Sequence, residues 1–376
     1  MRVLVLVSRD PLNPALGGGE TVMAEFARAL VRHGHEVDLL CASFPSSAAE
    51  TEVDGIRVHR LAPESVVGPA AYIEYLRRFR GRVDVVLEEF LGGARFPFFA
   101  SLYVREPLIS LWQQDHLPIF RHEFSPLLYP VLAGLDRILL WTHRGSFLLA
   151  PSTKSRDDLI SKGADPDRVR VYLPGVPETS LEGGRPPNAS ARESRIVCLG
   201  KIRRYKSQHH AILVLKELAR SVPGASLVIV GRVGDPAYLQ EMRALSRQHG
   251  LEERVSFELR VTEERKRELL QTSRACLAPA PIEGFGIAIV EASACGLPVV
   301  GTNGVPQDAL QEGVNGFRVP FGDISAMADR TRTLLTDDAA FDGLAVSSRR
   351  FASQFTWERA SEPLLDLLRE IVPDRR

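Results

Sequence analysis

Two α/β domains, each a doubly wound and mostly parallel sheet, are predicted by three observations. The chain has 376 residues, more than twice an ordinary domain length. Short β-branched runs alternate with segments of helical period along most of it. A Pro/Gly-rich stretch from Pro174 to Glu193 breaks that alternation, which then begins again.

The opening Val3-Leu4-Val5-Leu6-Val7 reads as a strand buried on both faces of a parallel sheet. A loop ending in Gly17-Gly18-Gly19-Glu20 follows. Val22, Phe26 and Leu30 then recur at helical spacing until Gly34, and Val37 to Cys41 is the next strand. Val83 to Leu87, Leu108 to Trp112, Phe147 to Ala150 and Val169 to Tyr172 continue the strands, with a helix running through Leu159 to Gly163. Pro174, Pro177, Gly183, Gly184, Pro186 and Pro187 crowd the stretch taken as an interdomain linker. Beyond it, strands are expected at Arg195–Leu199, Leu227–Val230, Val255–Phe257, Ala275–Ala278 and Pro298–Val300. Helices are expected at His209–Ser221, Tyr238–His249, Glu263–Gln271 and Ile287–Ala294. In such sheets ligands sit outside the carboxyl ends of the strands, so the loops there are where to look.

Composition excludes several classes. With 44% hydrophobic and 25% charged residues the chain is an ordinary globular protein. Its 47 basic and 47 acidic residues cancel, so no global positive field gathers nucleic acid. Cys41, Cys198, Cys276 and Cys295 are scattered among apolar neighbours, without zinc spacing, and read as buried thiols. The first apolar run is closed by Ser8-Arg9-Asp10 and is not a signal peptide. Leu127 to Trp141 is interrupted by Asp136-Arg137, short of the roughly 18 apolar residues of a spanning helix. A cytoplasmic enzyme is expected, with peripheral attachment to a membrane left open.

Two segments carry the candidate chemistry. The first is Pro279-Ala280-Pro281-Ile282-Glu283-Gly284-Phe285-Gly286-Ile287, with Glu291 eight residues after Glu283. Gly284 and Gly286 allow close approach of backbone to a ligand. A helix starting near Gly286 offers unpaired N–H groups to an anion, and Glu291 lies about 7.5 Å along its axis. The second is Gly200-Lys201-Ile202-Arg203-Arg204-Tyr205-Lys206-Ser207, directly after a strand. Its cations are either a solvated loop or a cradle for a pyrophosphate.

Together these segments resemble the retaining GT-B glycosyltransferases, the large family with a Glu-x-Phe-Gly-x4-Glu motif (glycosyltransferase family 4, group 1). Glu283-Gly284-Phe285-Gly286 and Glu291 match the motif, and Ala292, Gly296 and Pro298 continue it. Gly17 to Glu20, Gly200 with Lys201 and Lys206, Val228 to Gly231, Gly304-Val305-Pro306 and Gly313 to Phe317 fall where that family has similar turns.

The resemblance implies two Rossmann-like domains facing across a cleft. Residues 1–175 would form an amino-terminal acceptor domain, with helix 358–376 packing back on it, and residues 176–357 a nucleotide-sugar donor domain. It further implies that Lys201 and Lys206 hold the donor diphosphate, Glu283 the donor sugar, and Glu291 the ribose. The backbone of Gly284, Phe285, Gly286 and Ile287 would line sugar and phosphates, with Gly231 on the donor side and Gly18 and Gly19 approaching from the first domain. No cofactor and no metal are expected; the nucleotide sugar is a co-substrate and a hydroxyl compound the acceptor. Lys201 stands where the family usually has Arg, Leu259 where Gly is common, and Gln307 where Glu is common. The family's amino-domain histidine falls by count at Gln113, with Asp115 and His116 close by, so either His116 fills that role or the role is absent.

The expected activity is retaining, metal-independent transfer of a sugar to a hydroxyl on a glycan, lipid-linked or natural-product acceptor. An epimerase or phosphorylase on the same architecture, or a non-catalytic sugar-nucleotide-binding module, are the alternatives. Arg95 to Phe99 and Trp112 to His122 are read first as core, with an acceptor groove or membrane contact as the other readings. Arg77, Arg78, Arg80 and Arg82 are read first as a solvated face, and otherwise as steering an anionic acceptor or lipid headgroup.

Overall fold

The computed structural model describes residues 1–90, 98–123, 125, 127–181 and 188–372. The chain divides into two compact units, Met1–Pro174 with Trp357–Arg376, and Gly175–Thr356.

The first unit contains β1 (Arg2–Leu6), α1 (Gly18–Arg32), β2 (Glu36–Cys41), β3 (Glu50–Val53), β4 (Ile56–Arg60), α2 (Val67–Glu74) and β5 (Val85–Phe90). β6 (Leu108–Trp112), α3 (Leu117–Glu123), α4 (Tyr129–Thr142), β7 (Phe147–Ala150), α5 (Thr153–Ser161) and β8 (Val169–Val171) complete its first part. Among the described residues its sheet has the order β3-β4-β2-β1-β5-β6-β7-β8. It is parallel except at β3, which pairs antiparallel with β4. Val3 to Leu6 are buried on both faces, as the unbroken apolar run requires. The β3–β4 hairpin has no counterpart in the sequence reading, because Glu50-Thr51-Glu52 is too polar to announce a strand at a sheet edge.

The strand expected at Val83–Leu87 lies instead at Val85–Phe90 and includes two buried glutamates. They are tolerated because each is paired. Glu89 accepts the N–H and hydroxyl of Ser8 at 3.1 and 2.8 Å. Glu88 accepts the Ser110 hydroxyl at 2.7 Å and lies 2.6 Å from His143 Nε2. Burial pulls the His143 pKa down, and the Glu88 carboxylate more than reverses it, so it stands above the usual histidine value.

The second unit contains α6 (Glu178–Leu181), β9 (Arg195–Leu199), α7 (His209–Leu218), β10 (Ser226–Val230), α8 (Pro236–Gln248), β11 (Val255–Glu258) and α9 (Glu263–Thr272). β12 (Ala275–Ala278), α10 (Ile287–Ala294), β13 (Val299–Thr302), β14 (Gly316–Val319), α11 (Ile324–Thr336) and α12 (Asp338–Ala352) follow. Its sheet is parallel throughout, in the order β11-β10-β9-β12-β13-β14. Chain order reverses direction between β9 and β12, which makes the crevice beyond their carboxyl ends the ligand position of this architecture. Ile196, Leu227, Ile229 and Leu277 from the strands meet Ile212, Leu215 and Met242 from the helices in one core.

The stretch expected as a linker is only partly irregular. Residues 182–187, including Gly183, Gly184, Pro186 and Pro187, lie outside the described residues. Arg192 is buried in the second unit, where its guanidinium donates to the carbonyls of Leu270, Ser273 and Cys295 at 2.9, 2.8 and 2.8 Å. Burial lowers its pKa to about 10. After α12 the chain returns to the first unit as α13 (Trp357–Ile371), which buries Leu364, Leu365, Leu367 and Leu368 and packs against α1. All four cysteines are buried, and burial pushes every thiol pKa upward.

The loops that leave β9 and β10 touch backbone to backbone at Gly200 and Gly231. Gly231 has φ 155°, and a Cβ there would lie 2.0 Å from the Gly200 carbonyl oxygen. Gly200 also has positive φ, 149°, but open space around it. Both alanine substitutions therefore carry strain of about 1–3 kcal/mol, and only Gly231→Ala adds a collision with backbone. Urea unfolding should rank Gly231→Ala as clearly less stable than Gly200→Ala.

Candidate functional site

At the carboxyl end of β9 the chain turns at Gly200 and is fixed by two hydrogen bonds and a turn. Ile202 is buried and its N–H donates to Arg232 O at 2.8 Å. The Gln208 amide donates to Lys201 O at 2.9 Å. Residues Arg204–Lys206 form a single 3-10 turn, and Ser207 closes it in the left-handed region at φ 54°. The stems of Lys201 and Arg203 pass over Gly234, where a Cβ would stand 2.9 Å from either. Lys206 points the other way, toward β12. Its Nζ donates to both oxygens of Glu283 at 2.6 and 2.7 Å.

Glu283 is held by a second backbone contact. Gly304, in the turn after β13, would place a Cβ only 1.9 Å from Pro281 O, and Glu283 N donates to Gly304 O at 3.3 Å. Phe285 is buried with its ring 5.6 Å from that of Phe355. Its side chain therefore anchors the turn. Gly286 caps α10 at φ 105°, and a side chain there would meet Ile289 Cδ1 at 2.8 Å. The Ile289 N–H already donates to Gly286 O at 2.8 Å, which leaves the amides of Ile287 and Ala288 as the donors at the start of α10 that the helix itself does not use.

Glu291 lies just over one turn into α10 and receives Lys266 Nζ from α9 at 2.7 Å. Burial raises the Glu291 pKa, and Lys266 offsets that only in part. Burial lowers the pKa of Lys266, and Glu291 with Glu263 more than reverses it. For Lys206, too, burial is the largest influence and lowers the pKa, yet Glu283 and Tyr205 hold the ammonium above the ordinary lysine value. Each of the two glutamates is thus matched by a lysine from another element, Lys206 from the turn after β9 and Lys266 from α9. Lys206 stands out in the sequence; Lys266 does not, because α9 reads as a charged helix. The available signal was spacing. Lys266 lies three and four residues before the buried Leu269 and Leu270, hence on their face.

In the first unit the glycine loop is fixed from within. Gly17 N donates to Glu20 at 3.1 Å, and the same carboxylate takes Arg9 at 2.9 Å and the Ser8 hydroxyl at 3.3 Å. Gly18 and Gly19 open α1. The Gln113 amide donates to Gly19 O at 3.3 Å, and a Cβ on Gly19 would stand 2.9 Å from that amide carbon. Asp115 is ion-paired with Lys162, which also lies 3.8 Å from Asp136. His116 Nδ1 is 4.0 Å from Asp136, and its ring sits 5.9 Å from Trp112 and 6.0 Å from Phe120. Burial pushes the Asp136 carboxyl up to about 6, Lys162 opposing and Asp115 adding. Gln113 therefore meets the glycine loop, while Asp115 and His116 join an interior cluster that the sequence did not announce.

Of the aromatic stretches read as core, Phe98, Trp112, Ile119 and Phe120 are buried and Phe99 is exposed. Arg95, Phe96 and Pro97 lie outside the described residues. Arg77, Arg78, Arg80 and Arg82 are exposed. Among the described residues there is no group of three or more His, Cys, Asp or Glu side chains placed to hold a metal ion. No described helix is long and apolar enough to cross a membrane.

Comparison with known proteins adds identity to this geometry. Residues 185–350 match the family model described as glycosyl transferases group 1, and residues 16–179 match glycosyltransferase family 4. The chain is 32% identical, over 97% of its length and 98% of the relative, to a GDP-mannose-dependent alpha-(1-6)-phosphatidylinositol monomannoside mannosyltransferase of Mycolicibacterium smegmatis. It is 29% identical, over 96% of its length and 93% of the relative, to a D-inositol 3-phosphate glycosyltransferase of Xylanimonas cellulosilytica. Among solved structures, sucrose-phosphate synthase of Thermosynechococcus elongatus superposes with a TM-score of 0.78 at 18% identity, covering 98% of this chain and 99% of that one. WaaG, a glycosyltransferase of lipopolysaccharide biosynthesis, superposes at 0.75 with 16% identity and complete coverage of both chains. HepE of Anabaena, solved with UDP-glucose, superposes at 0.75 with 20% identity, covering 98% of this chain and 100% of that one. At those identities the structures establish the fold. With both family models matched and a full-length relative at 32% identity, the chain belongs to the group 1 glycosyltransferases and has their GT-B fold.

Proposed function

We propose that this glycosyltransferase is retaining and metal-independent, moving a sugar from a nucleoside-diphosphate sugar to an acceptor hydroxyl. The observation that carries the reading is the arrangement around α10: two carboxylates, each salt-bridged to a lysine, flank the Gly286 helix start. A helix start next to a held ammonium suits a diphosphate. A carboxylate farther along the helix suits the paired hydroxyls of a ribose.

In this reading Glu291 accepts the ribose hydroxyls and Glu283 those of the donor sugar. Lys206, Lys201 and the amides from Gly284 to Ile287 face the diphosphate. The bond from the anomeric carbon to the phosphate oxygen breaks, and a bond from that carbon to the acceptor oxygen forms on the same face. The acceptor proton passes to the departing phosphate oxygen. Negative charge grows on the diphosphate as its bond breaks, and fixed cations and amides stabilise it without reorganising. Glu283 keeps Lys206 charged for this purpose. The two relatives are a GDP-mannose-dependent mannosyltransferase and an inositol-phosphate glycosyltransferase by name, which supports a nucleotide sugar as donor and a polyol or glycan hydroxyl as acceptor.

The direct test is proton NMR of the product after turnover with nucleotide sugars. An anomeric coupling matching that of the donor supports retention, and the opposite anomer refutes it. Turnover should continue unchanged in excess chelator; loss that added metal restores would overturn the metal-free reading.

Glu291→Ala removes a charged acceptor worth about 1.5–3 kcal/mol per bond. Titration calorimetry should show donor affinity reduced by about ten- to a hundredfold per lost bond. The ionised carboxylate is the better acceptor, so in the unaltered protein donor affinity should fall as pH drops through the raised Glu291 pKa. Lys266→Met removes the charge that holds that pKa down, and should shift the fall to higher pH.

Lys206→Ala should lower kcat by about 10²–10³ while changing donor affinity much less, since its partner is charge that develops in the transition state. Steady-state kinetics alongside equilibrium donor binding separate the two effects.

A further inference from the structure

The run from Leu127 to Trp141 is neither a membrane span nor a buried helix. α4 buries Leu132, Asp136, Leu139 and Leu140. Its opposite side carries Val131, Leu135, Ile138 and Trp141, spaced as one helical stripe, and all are exposed, Ile138 and Trp141 by 59% each. Leu127, just ahead of the helix, is 90% exposed. A helix of a water-soluble surface is charged opposite its core-facing stripe; α4 has a second apolar stripe there.

The apolar surface continues beyond the helix. Ser101 Oγ donates to Thr142 Oγ1 at 2.9 Å, which sets the exposed Leu102 beside the end of α4. The next residue, Tyr103, has its ring 4.9 Å from that of Tyr72 on α2, where Tyr72, Ile73 and the following Leu76 are exposed as well. Exposed arginines border this surface: Arg137 and Arg144 at α4, Arg77 and Arg80 after α2, and Arg105 beyond Tyr103. The Arg144 guanidinium lies 5.7 Å from the Trp141 ring centroid. Arg78, on the same turn as Arg77, is already paired with Glu50 and Glu74.

We propose that this face of the first unit lies on the surface of an anionic lipid bilayer. Leucine, isoleucine and tryptophan side chains enter the interfacial layer, while arginines at the border meet lipid phosphates. Charge selects this occupant over a second copy of the chain, which would bring two arginine borders together. The proposal concerns where the protein sits and does not depend on the transfer chemistry.

The test is co-sedimentation of the full chain with vesicles of phosphatidylcholine alone or mixed with phosphatidylglycerol. Binding to the mixed vesicles, weakened by salt, is expected, with at least a tenfold smaller partition coefficient for Ile138→Glu and for Val131→Glu. Arg80→Ala should reduce partition about fivefold. All three positions are exposed, so melting temperatures should match the parent, and a variant that fails to fold is replaced by the other glutamate substitution. Absence of binding to anionic vesicles, or undiminished binding by the glutamate variants, overturns the proposal. So does a dimer in analytical ultracentrifugation that Ile138→Glu dissociates while vesicles go unbound, because the occupant is then a second copy.

Discussion

A methyl group on Gly231 would reach within 2.0 Å of the Gly200 carbonyl oxygen, and one on Gly304 within 1.9 Å of the Pro281 oxygen. The first contact brings the loops after β9 and β10 together and the second those after β12 and β13, in each case backbone against backbone. β9 and β12 are themselves neighbours in the sheet, so a lysine from the loop after β9 reaches a glutamate from the loop after β12, residues that are 77 positions apart. The site in the second unit is thus set by what the glycines leave out as much as by what the lysines and glutamates supply.

The charges assembled this way are costly to hold. Side chains of Lys206 and Glu283 are only 18% and 16% exposed, and a charge at that depth is stable when matched and expensive when alone. The same holds in the first unit for the bidentate Arg60–Asp10 pair, which is almost fully buried at 2.9 Å, and for Glu88 with His143. Each sheet therefore carries compensated ions near the carboxyl ends of its central strands. Packing alone would favour apolar residues there. Their presence beside the topological switch of the second sheet fits a role in meeting a polar ligand.

The alternation of strand and helix was legible along most of the chain because parallel strands buried on both faces are written as unbroken apolar runs, as in Val3 to Leu6 or Leu227 to Val230. Glu283, Glu291, Lys201 and Lys206 stood out because glycines and apolar residues surround the glutamates and a strand precedes the lysines. What stayed hidden depends on partners distant in sequence. Lys266 is distinguished only by facing Glu291, and Glu20 only by holding Arg9, Ser8 and Gly17 together. Glu88 and Glu89 extend a strand that sequence polarity would end, because Ser8, Ser110 and His143 come from other elements to meet them. The exposed stripe on α4 was equally hidden, since an apolar residue carries no mark of whether it turns inward or outward.

The return of α13 to the first unit has a consequence for how the protein is made. Leu364, Leu365, Leu367 and Leu368 complete a layer that begins with α1, so the unit whose first strand leaves the ribosome earliest is also the one finished last. The second unit, residues Gly175–Thr356, is continuous and has all its parts before α13 is translated. During synthesis at about 5–20 residues per second, the α1 surface that α13 will cover remains open for the whole time the second unit is being made. A nascent chain of this protein therefore displays an uncovered apolar surface on its first-made half, and a stall or truncation before Trp357 would leave that surface as a site for chaperones or for aggregation.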